Sequence, residues 1–234
     1  MKTLVYALLA TIPLSAGLAA TPFSQTWTYS TPIPDNDDVG AAFTQVLANL
    51  DITDIHSVSV AINLAGGWNG DLFAYLAHGD GMAVLLNRAG MDDANPDGAG
   101  SLGLNITFRD DAAFDIHTSV PMSGGPVTGT FQPDGRATDP LIVRPSDARP
   151  AMLSGFNGMS ANGHWTLYLA DQSTGATSTL QSWSLTIEGV PEPSTPLLAA
   201  LSLLTLWRRS RNANTPLTVE LARGGGVAKL AHLS

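Results

Sequence analysis

The 234-residue chain contains no cysteine, which excludes a disulfide scaffold, a zinc-thiolate site and a thiol nucleophile. Lysine is nearly as scarce. None lies between residues 21 and 189, where the only basic side chains besides histidine are Arg88, Arg109, Arg136, Arg144 and Arg149. Set against 17 Asp and the single Glu188, they leave that stretch with a net charge of −13. A surface of this sign repels phosphate backbones and anionic lipid, so it argues against nucleic-acid binding and favours divalent cations or basic partner surfaces. The near absence of glutamate also has structural meaning. Short Asp side chains suit turns and tight oxygen cages, whereas Glu prefers helices, so the composition points to strands joined by carboxylate-rich loops. A Gly-x-Ser-x-Gly elbow and the paired His-Glu spacings of zinc hydrolases are missing too.

Both ends read as targeting segments. Lys2 precedes an apolar run from Leu4 to Leu14 and then the small residues Ser15, Ala16, Gly17, Ala19 and Ala20. Residues 1–20 therefore read as a secretory signal peptide cut after Ala19 or Ala20 by signal peptidase. Near the other end, Val190-Pro191-Glu192-Pro193-Ser194-Thr195 leads into an apolar stretch from Pro196 to Trp207, followed by Arg208, Arg209 and Arg211. A helix over that stretch rises about 18 Å, short of a hydrocarbon core of ~30 Å. The arginines favour the cytoplasmic side, which leaves the N-terminal body exported through a transient stop.

The order VPEPS, short apolar helix, RRSR resembles the PEP-CTERM sorting signal of Gram-negative bacteria. That resemblance implies processing at Pro191, Glu192 and Pro193 by an exosortase-type membrane protease, with delivery to the cell envelope, outer surface or extracellular matrix. The sorting segment is read as residues 190–211, and residues 212–234 as a tail with no assigned role.

The body, residues 21–189, alternates. Val58, Val60, Ile62 and Leu64 alternate with polar or small residues, as do Leu104, Ile106 and Phe108, then Trp165, Leu167 and Leu169, then Trp183, Leu185 and Ile187. Each set predicts a strand with one buried face. Leu72 to Leu76 and Ala83 to Leu86 read as buried strands. Val39, Phe43, Val46, Leu47 and Leu50 fit a helical stripe as well as a strand; Ala41 to Leu50 is read as an early strand. Many short strands with turn-rich connections predict an all-β fold, a β-sandwich or jelly roll. Trp165 and Trp183, in phase with aliphatic residues, are expected in the core.

Several strings resemble chemistry without its context. Gly98-Ala99-Gly100-Ser101-Leu102-Gly103 matches a dinucleotide fingerprint but precedes a strand where a helix N-terminus is needed. Asp93-Ala94-Asn95-Pro96-Asp97-Gly98 begins like a calcium loop, yet its twelfth position is Leu104, and a solvated turn is the better reading. Gly66 to Leu72 reads as a tight hairpin. Asn105-Ile106-Thr107 is formally a glycosylation sequon inside a strand. His56, His78, His117 and His164 lie among Asp and Ser residues, so a triad assembled in space stays open as an unrecognised hydrolase.

The pieces together resemble the proprotein convertase P domain, also called P/Homo B. They are Ile33-Pro34-Asp35-Asn36-Asp37; Ile55 through Leu64 leading to Gly70-Asp71-Leu72 and Tyr75-Leu76; Phe108 with Asp110, Asp111 and Ala112; Leu153 through Gly158; Gly163-His164-Trp165-Thr166-Leu167 with Asp171; and Leu180 through Leu185. The resemblance covers roughly residues 30 to 188. It implies a jelly-roll sandwich of about eight antiparallel strands, with calcium in bacterial members, serving a subtilisin-like serine protease. No Asp-Ser-Gly, His-Gly-Thr or Gly-Thr-Ser-Met motif supplies a protease triad here, so no catalytic residue is assigned.

Asp71, Asp110 and Asp111 are the leading candidate Ca2+ ligands, with Asp35, Asp37, Asp134, Asp139 and Asp171 behind them. The expected function is a non-catalytic, envelope-targeted module in adhesion or surface structure, with exopolysaccharide or a surface protein as partner. The alternative is an accessory domain acting in trans with a serine endopeptidase.

Overall fold

The computed structural model describes residues 22–191 and Leu204. The chain divides after Glu192 into two units, and the sandwich is the first. Nine strands succeed one another: β1 (Phe23–Pro32), β2 (Asp37–Leu47), β3 (Ile52–Trp68), β4 (Leu72–His78), β5 (Gly81–Asn87), β6 (Leu102–Phe108), β7 (Val127–Phe131), β8 (Gly163–Asp171) and β9 (Ser178–Pro191). The helical pieces between residues 22 and 191 are one turn, α1 (Ile116–Ser119), and two 3-10 turns, Asn69–Asp71 and Leu153–Phe156.

Alternation sets the layers. One sheet has the order β1-β9-β3-β6-β7 and the other β2-β8-β4-β5. Val60, Ile62 and Leu64 of β3 and Leu185 and Ile187 of β9 turn into the same apolar cluster as Leu72 and Leu76 of β4 and Leu167 and Leu169 of β8. Each such side chain contributes about 1.5–3 kcal/mol by leaving water. Trp165, Trp183, Phe108 and Phe156 fill the centre and are fully buried, as the phase of the two tryptophans requires. Most connections cross from one sheet to the other; only β4–β5 and β6–β7 stay within a sheet.

The ambiguous segment at residues 41–50 is a strand as far as Leu47. Phe43 and Leu47 are buried and Gln45 half-buried while Ala42, Thr44 and Val46 are exposed, a period of two that a helical stripe cannot produce. Gly40 is in the left-handed region at φ +57°, where β2 shifts register against β8. A Cβ there would run into the carbonyl oxygen of Leu169.

Two expectations need correction. The described residues form nine strands, in keeping with the eight or so expected, but they are not all antiparallel, because β7 pairs with β6 in parallel. The long crossover from Arg109 to Pro126, carrying α1, provides the return path that parallel pairing needs. The segment from Gly66 to Leu72 is not a hairpin. β3 and β4 belong to different sheets, and the Asn69–Asp71 turn carries the chain across the end of the sandwich between them.

Candidate functional site

That inter-sheet corner gathers two buried carboxylates and a buried guanidinium. Asn69, Gly70 and Asp71 are all buried in the turn. The turn is pinned by backbone bonds from Asn69 N–H to the Ser101 carbonyl (3.0 Å) and from Gly70 N–H to the Ala99 carbonyl (2.8 Å). Asp171, the last residue of β8, pairs with Leu72 and Asp37 on its two flanks, and its buried carboxylate lies near enough to Asp71 for the two charges to interact. Arg88 closes the corner from the end of β5. Its Nε donates to the Gly70 carbonyl (2.8 Å), and its Nη2 lies 4.0 Å from Asp71 Oδ1. Arg88 holds φ at +48°, a strained value for a non-glycine residue. The bond from its N–H to the Leu72 carbonyl (2.9 Å) helps to fix it there.

One guanidinium does not balance this corner. Burial pushes the Asp71 carboxyl up to about 6, the charge of Asp171 adds to the shift, and Arg88 opposes it only in part. Burial also raises Asp171, with Asp35 contributing like charge. Asp71 Oδ2, Asp171 Oδ2 and Asn69 Oδ1 are buried with no hydrogen-bond donor among the described residues. A buried acceptor without a donor is costly, and carboxylate oxygens are the donor chemistry of a hard cation. Asp71 and Asp171 thus fit Ca2+ in kind, although no group of three His, Cys, Asp or Glu side chains among the described residues is arranged to hold a metal.

The structure does not bring the three leading candidates together. Asp71 follows Trp68, which pairs with Leu102 at the start of β6, whereas Asp110 and Asp111 follow Phe108 at its far end. The two ends are about 20 Å apart at strand rise. Asp110 accepts the backbone N–H groups of Leu153 (3.0 Å) and Ser154 (2.7 Å), capping the second 3-10 turn. Asp111 holds Arg109 through two bonds of 2.8 and 2.7 Å.

The weaker candidates are spread as widely. Asp35 accepts from Gly175 N–H (3.1 Å), Asp37 from Val39 N–H (2.9 Å) and Asp139 from Leu141 N–H (2.9 Å). Pro191 is the final residue of β9, while Ala19, Ala20, Glu192 and Pro193 lie outside the described residues. In the calcium-like loop, the Asn95 side-chain amide donates to the carbonyls of Gly90 (2.9 Å) and Gly98 (2.8 Å), and Asp93 pairs with Arg144 (2.6 Å). The turn reading fits these bonds.

Sequence reasoning missed a second buried assembly. His117 Nδ1 lies 2.8 Å from Asp134 Oδ2, and its Nε2 lies 3.0 Å from the Met91 carbonyl. Arg136 bonds both Asp134 (3.2 Å) and Asp115 (2.9 Å), and Arg149 approaches Asp115 at 3.7 Å. Burial opposes a charge on His117, but the hydrogen bond and charge of Asp134 outweigh it and hold the imidazole above its ordinary value. With oxygen acceptors at both nitrogens, the ring satisfies both only as imidazolium. This Asp–His pair superficially resembles part of a triad. The nitrogen that would serve a nucleophile is spent on Met91, and no serine is bonded to it. His78 is likewise occupied: it stacks on Trp165 at 4.0 Å, and its nitrogens face the carbonyls of His164 (3.0 Å) and Ser160 (2.7 Å). The sequence signal was the pair of two-residue spacings, Asp115-x-His117 and Asp134-x-Arg136, in a body with few basic residues.

No family model and no curated protein matches the sequence. Among solved structures, a chain in the complex of the Aeromonas sobria serine protease with its chaperone is similar at TM-score 0.41 and 16% identity, over 73% of this chain and 27% of that one. A second structure of the Aeromonas sobria serine protease is similar at TM-score 0.40 and 15% identity, over 72% of this chain and 27% of that one. This chain therefore spans about a quarter of the length of the chains it resembles.

Proposed function

We propose that the chain is a non-catalytic β-sandwich module, exported to the cell envelope and acting there in adhesion or matrix structure. The observation that carries this reading is the bonding of its buried histidines. His117 and His78 each have both ring nitrogens engaged by structural acceptors, so neither is free to take a proton from a nucleophile. The sheet orders support a jelly-roll winding: with β7 set aside, every connection except the β4–β5 hairpin passes between sheets. Export would follow cleavage after Ala19 or Ala20, and sorting would act at Pro191-Glu192-Pro193. Mass spectrometry of both termini from the source cells tests that part.

Ca2+ is the ion this module would take. Asp71 and Asp171, with the Asn69 carboxamide oxygen, would hold it, and it would neutralise a corner that Arg88 leaves negative.

The decisive experiment treats the purified full chain with a fluorophosphonate probe and with peptide and glycoside substrates. No labelling and no turnover are expected. Labelling of one serine in the folded but not the denatured protein would overturn the reading. Co-purification of a serine endopeptidase whose activity rises when the chain is added would replace adhesion with an accessory role in trans.

A further inference from the structure

The outer face of the five-stranded sheet is as unusual as its acidic corner, for the opposite reason. Reading the register across the strands, one row is Thr26, Ser184, Ala61, Thr107 and Thr130. The next is Thr28, Ser182, Asn63, Asn105 and Thr128. A third, shorter row runs Ser24, Thr186 and Ser59. Their strand neighbours Val60, Ile62, Leu104, Ile106, Trp183 and Leu185 are buried, so these positions point away from the core. Every one is a hydroxyl, a carboxamide or a methyl group. A body of net charge −13 thus keeps all its ionised side chains off the middle of its widest sheet.

Such a surface selects its partner by chemistry. Hydroxyls and carboxamides both donate and accept, which matches a ligand that does the same and carries no charge. Phosphorylated, sulfated or uronic polymers meet the negative field of the rest of the body. A protein partner would need apolar or aromatic anchors, which the rows lack. Neighbouring rows of side chains lie about 6.7 Å apart along the strands, and neighbours within a row about 4.8 Å apart across them. The second spacing is close to the repeat of one sugar in an extended glycan. A glycan lying across the strands would meet a hydroxyl or amide at nearly every residue.

The rows also lead into a concavity. A cleft of about 380 Å³ lies beside the first part of β3, just past the end of β6 and near the end of β9, with His56, Ser57, Arg109, Asp110, Asp111 and Glu188 among its walls. Its volume falls in the range of small-ligand sites. Ser57 Oγ donates to Glu188 Oε2 at 2.8 Å, and Asp111 braces Arg109 through its two bonds. Carboxylate and guanidinium planes can each bond two adjacent sugar hydroxyls.

We infer that this face binds a neutral polysaccharide, with the end of a chain in the Ser57–Arg109–Glu188 cleft and its length across the hydroxyl rows. The inference rests on the reading of the chain as a non-catalytic surface module, and it names the ligand class and the surface. The test uses the full chain in affinity electrophoresis through gels containing neutral glucan or mannan, with alginate as the charged comparison. The neutral gels should retard the protein and alginate should not. Thr107→Lys and Arg109→Ala should each weaken retardation at least tenfold, while Val46→Lys, on the exposed face of the other sheet, should leave it unchanged. Melting temperatures within a few degrees of wild type show that the variants fold.

Equal mobility of all proteins in every gel would overturn the inference and leave the non-catalytic reading standing. So would retardation that Thr107→Lys and Arg109→Ala do not alter. Inhibition of ice recrystallisation without glycan retardation would assign the rows to a water lattice and also overturn it. Release of soluble sugar during binding would overturn the non-catalytic reading while leaving the binding face in place.

Discussion

Replacing Asp71 by asparagine should stabilise this protein at neutral pH, although the residue is buried in a defining turn. Lifting a carboxyl from 3.8 to about 6 makes its ionisation inside the fold cost about 3 kcal/mol. The sign follows from the raised value: the contribution of Asp71 is fully present below pH 3.8 and is lost as pH rises through 6. Asparagine cannot ionise, and its amide would supply a donor in a corner where Asp171 Oδ2 has none. In chelator, the stability of Asp71→Asn relative to wild type should therefore rise between pH 4 and pH 7 by about 2.4 kcal/mol. For a body of this size that corresponds to roughly 5–10 °C in melting temperature. Urea unfolding at pH 4, 5, 6 and 7 measures it. A constant gap across that range would refute the assignment of a perturbed carboxylate. Adding Ca2+ should raise wild type by several degrees and the variant by much less. Should calcium move neither protein, the calcium proposal falls while the electrostatic reasoning survives.

The His117 imidazolium contributes stability that is complete below about pH 6.5 and is lost as pH climbs through its raised folded value; His117→Gln should flatten unfolding free energy measured from pH 6 to 9. Asp134→Asn strips charge from the group that holds both His117 and Arg136 and should cost about 3–5 kcal/mol; a loss below about 1 kcal/mol in denaturant titration would contradict the network. At Gly70 an added Cβ would meet the backbone nitrogen of Ala99 and, at 2.6 Å, the carbonyl oxygen of Asp97. Gly70→Ala should therefore destabilise by ~2 kcal/mol or more through overpacking, visible as a lower urea midpoint with an unchanged slope.

The β layers were legible because a buried face writes a period of two into the sequence, as in Val58 to Leu64 and Trp183 to Ile187. The parallel docking of β7 was not, since Val127 and Phe131 alternate identically in either direction and the choice lies in the long crossover. The corner at Asn69–Asp71 reads locally like a hairpin turn; only the pairing of β4 with β8 separates it from one. Asp71 and Asp171 were individually visible as candidates, but their juxtaposition joins residues a hundred positions apart, and no local spacing encodes it. Asp110 and Asp111 look like ligands by composition. Their oxygens are bonded instead to two backbone amides and to Arg109, partners that belong to the folded surroundings.

β9 lies between β1 and β3; it pairs with β3 from Ser178 to Pro191, which meets Ile52, and with β1 from Thr179 to Ile187. Tension drawn through that end pulls along the strand, against two flanking ladders at once. Their hydrogen bonds would have to yield together, in shear, where a strand at the margin of the sheet could be peeled away bond by bond. A module held by the end of β9 is thus built to bear load, and stretching it from Pro191 should produce one abrupt, high-force rupture.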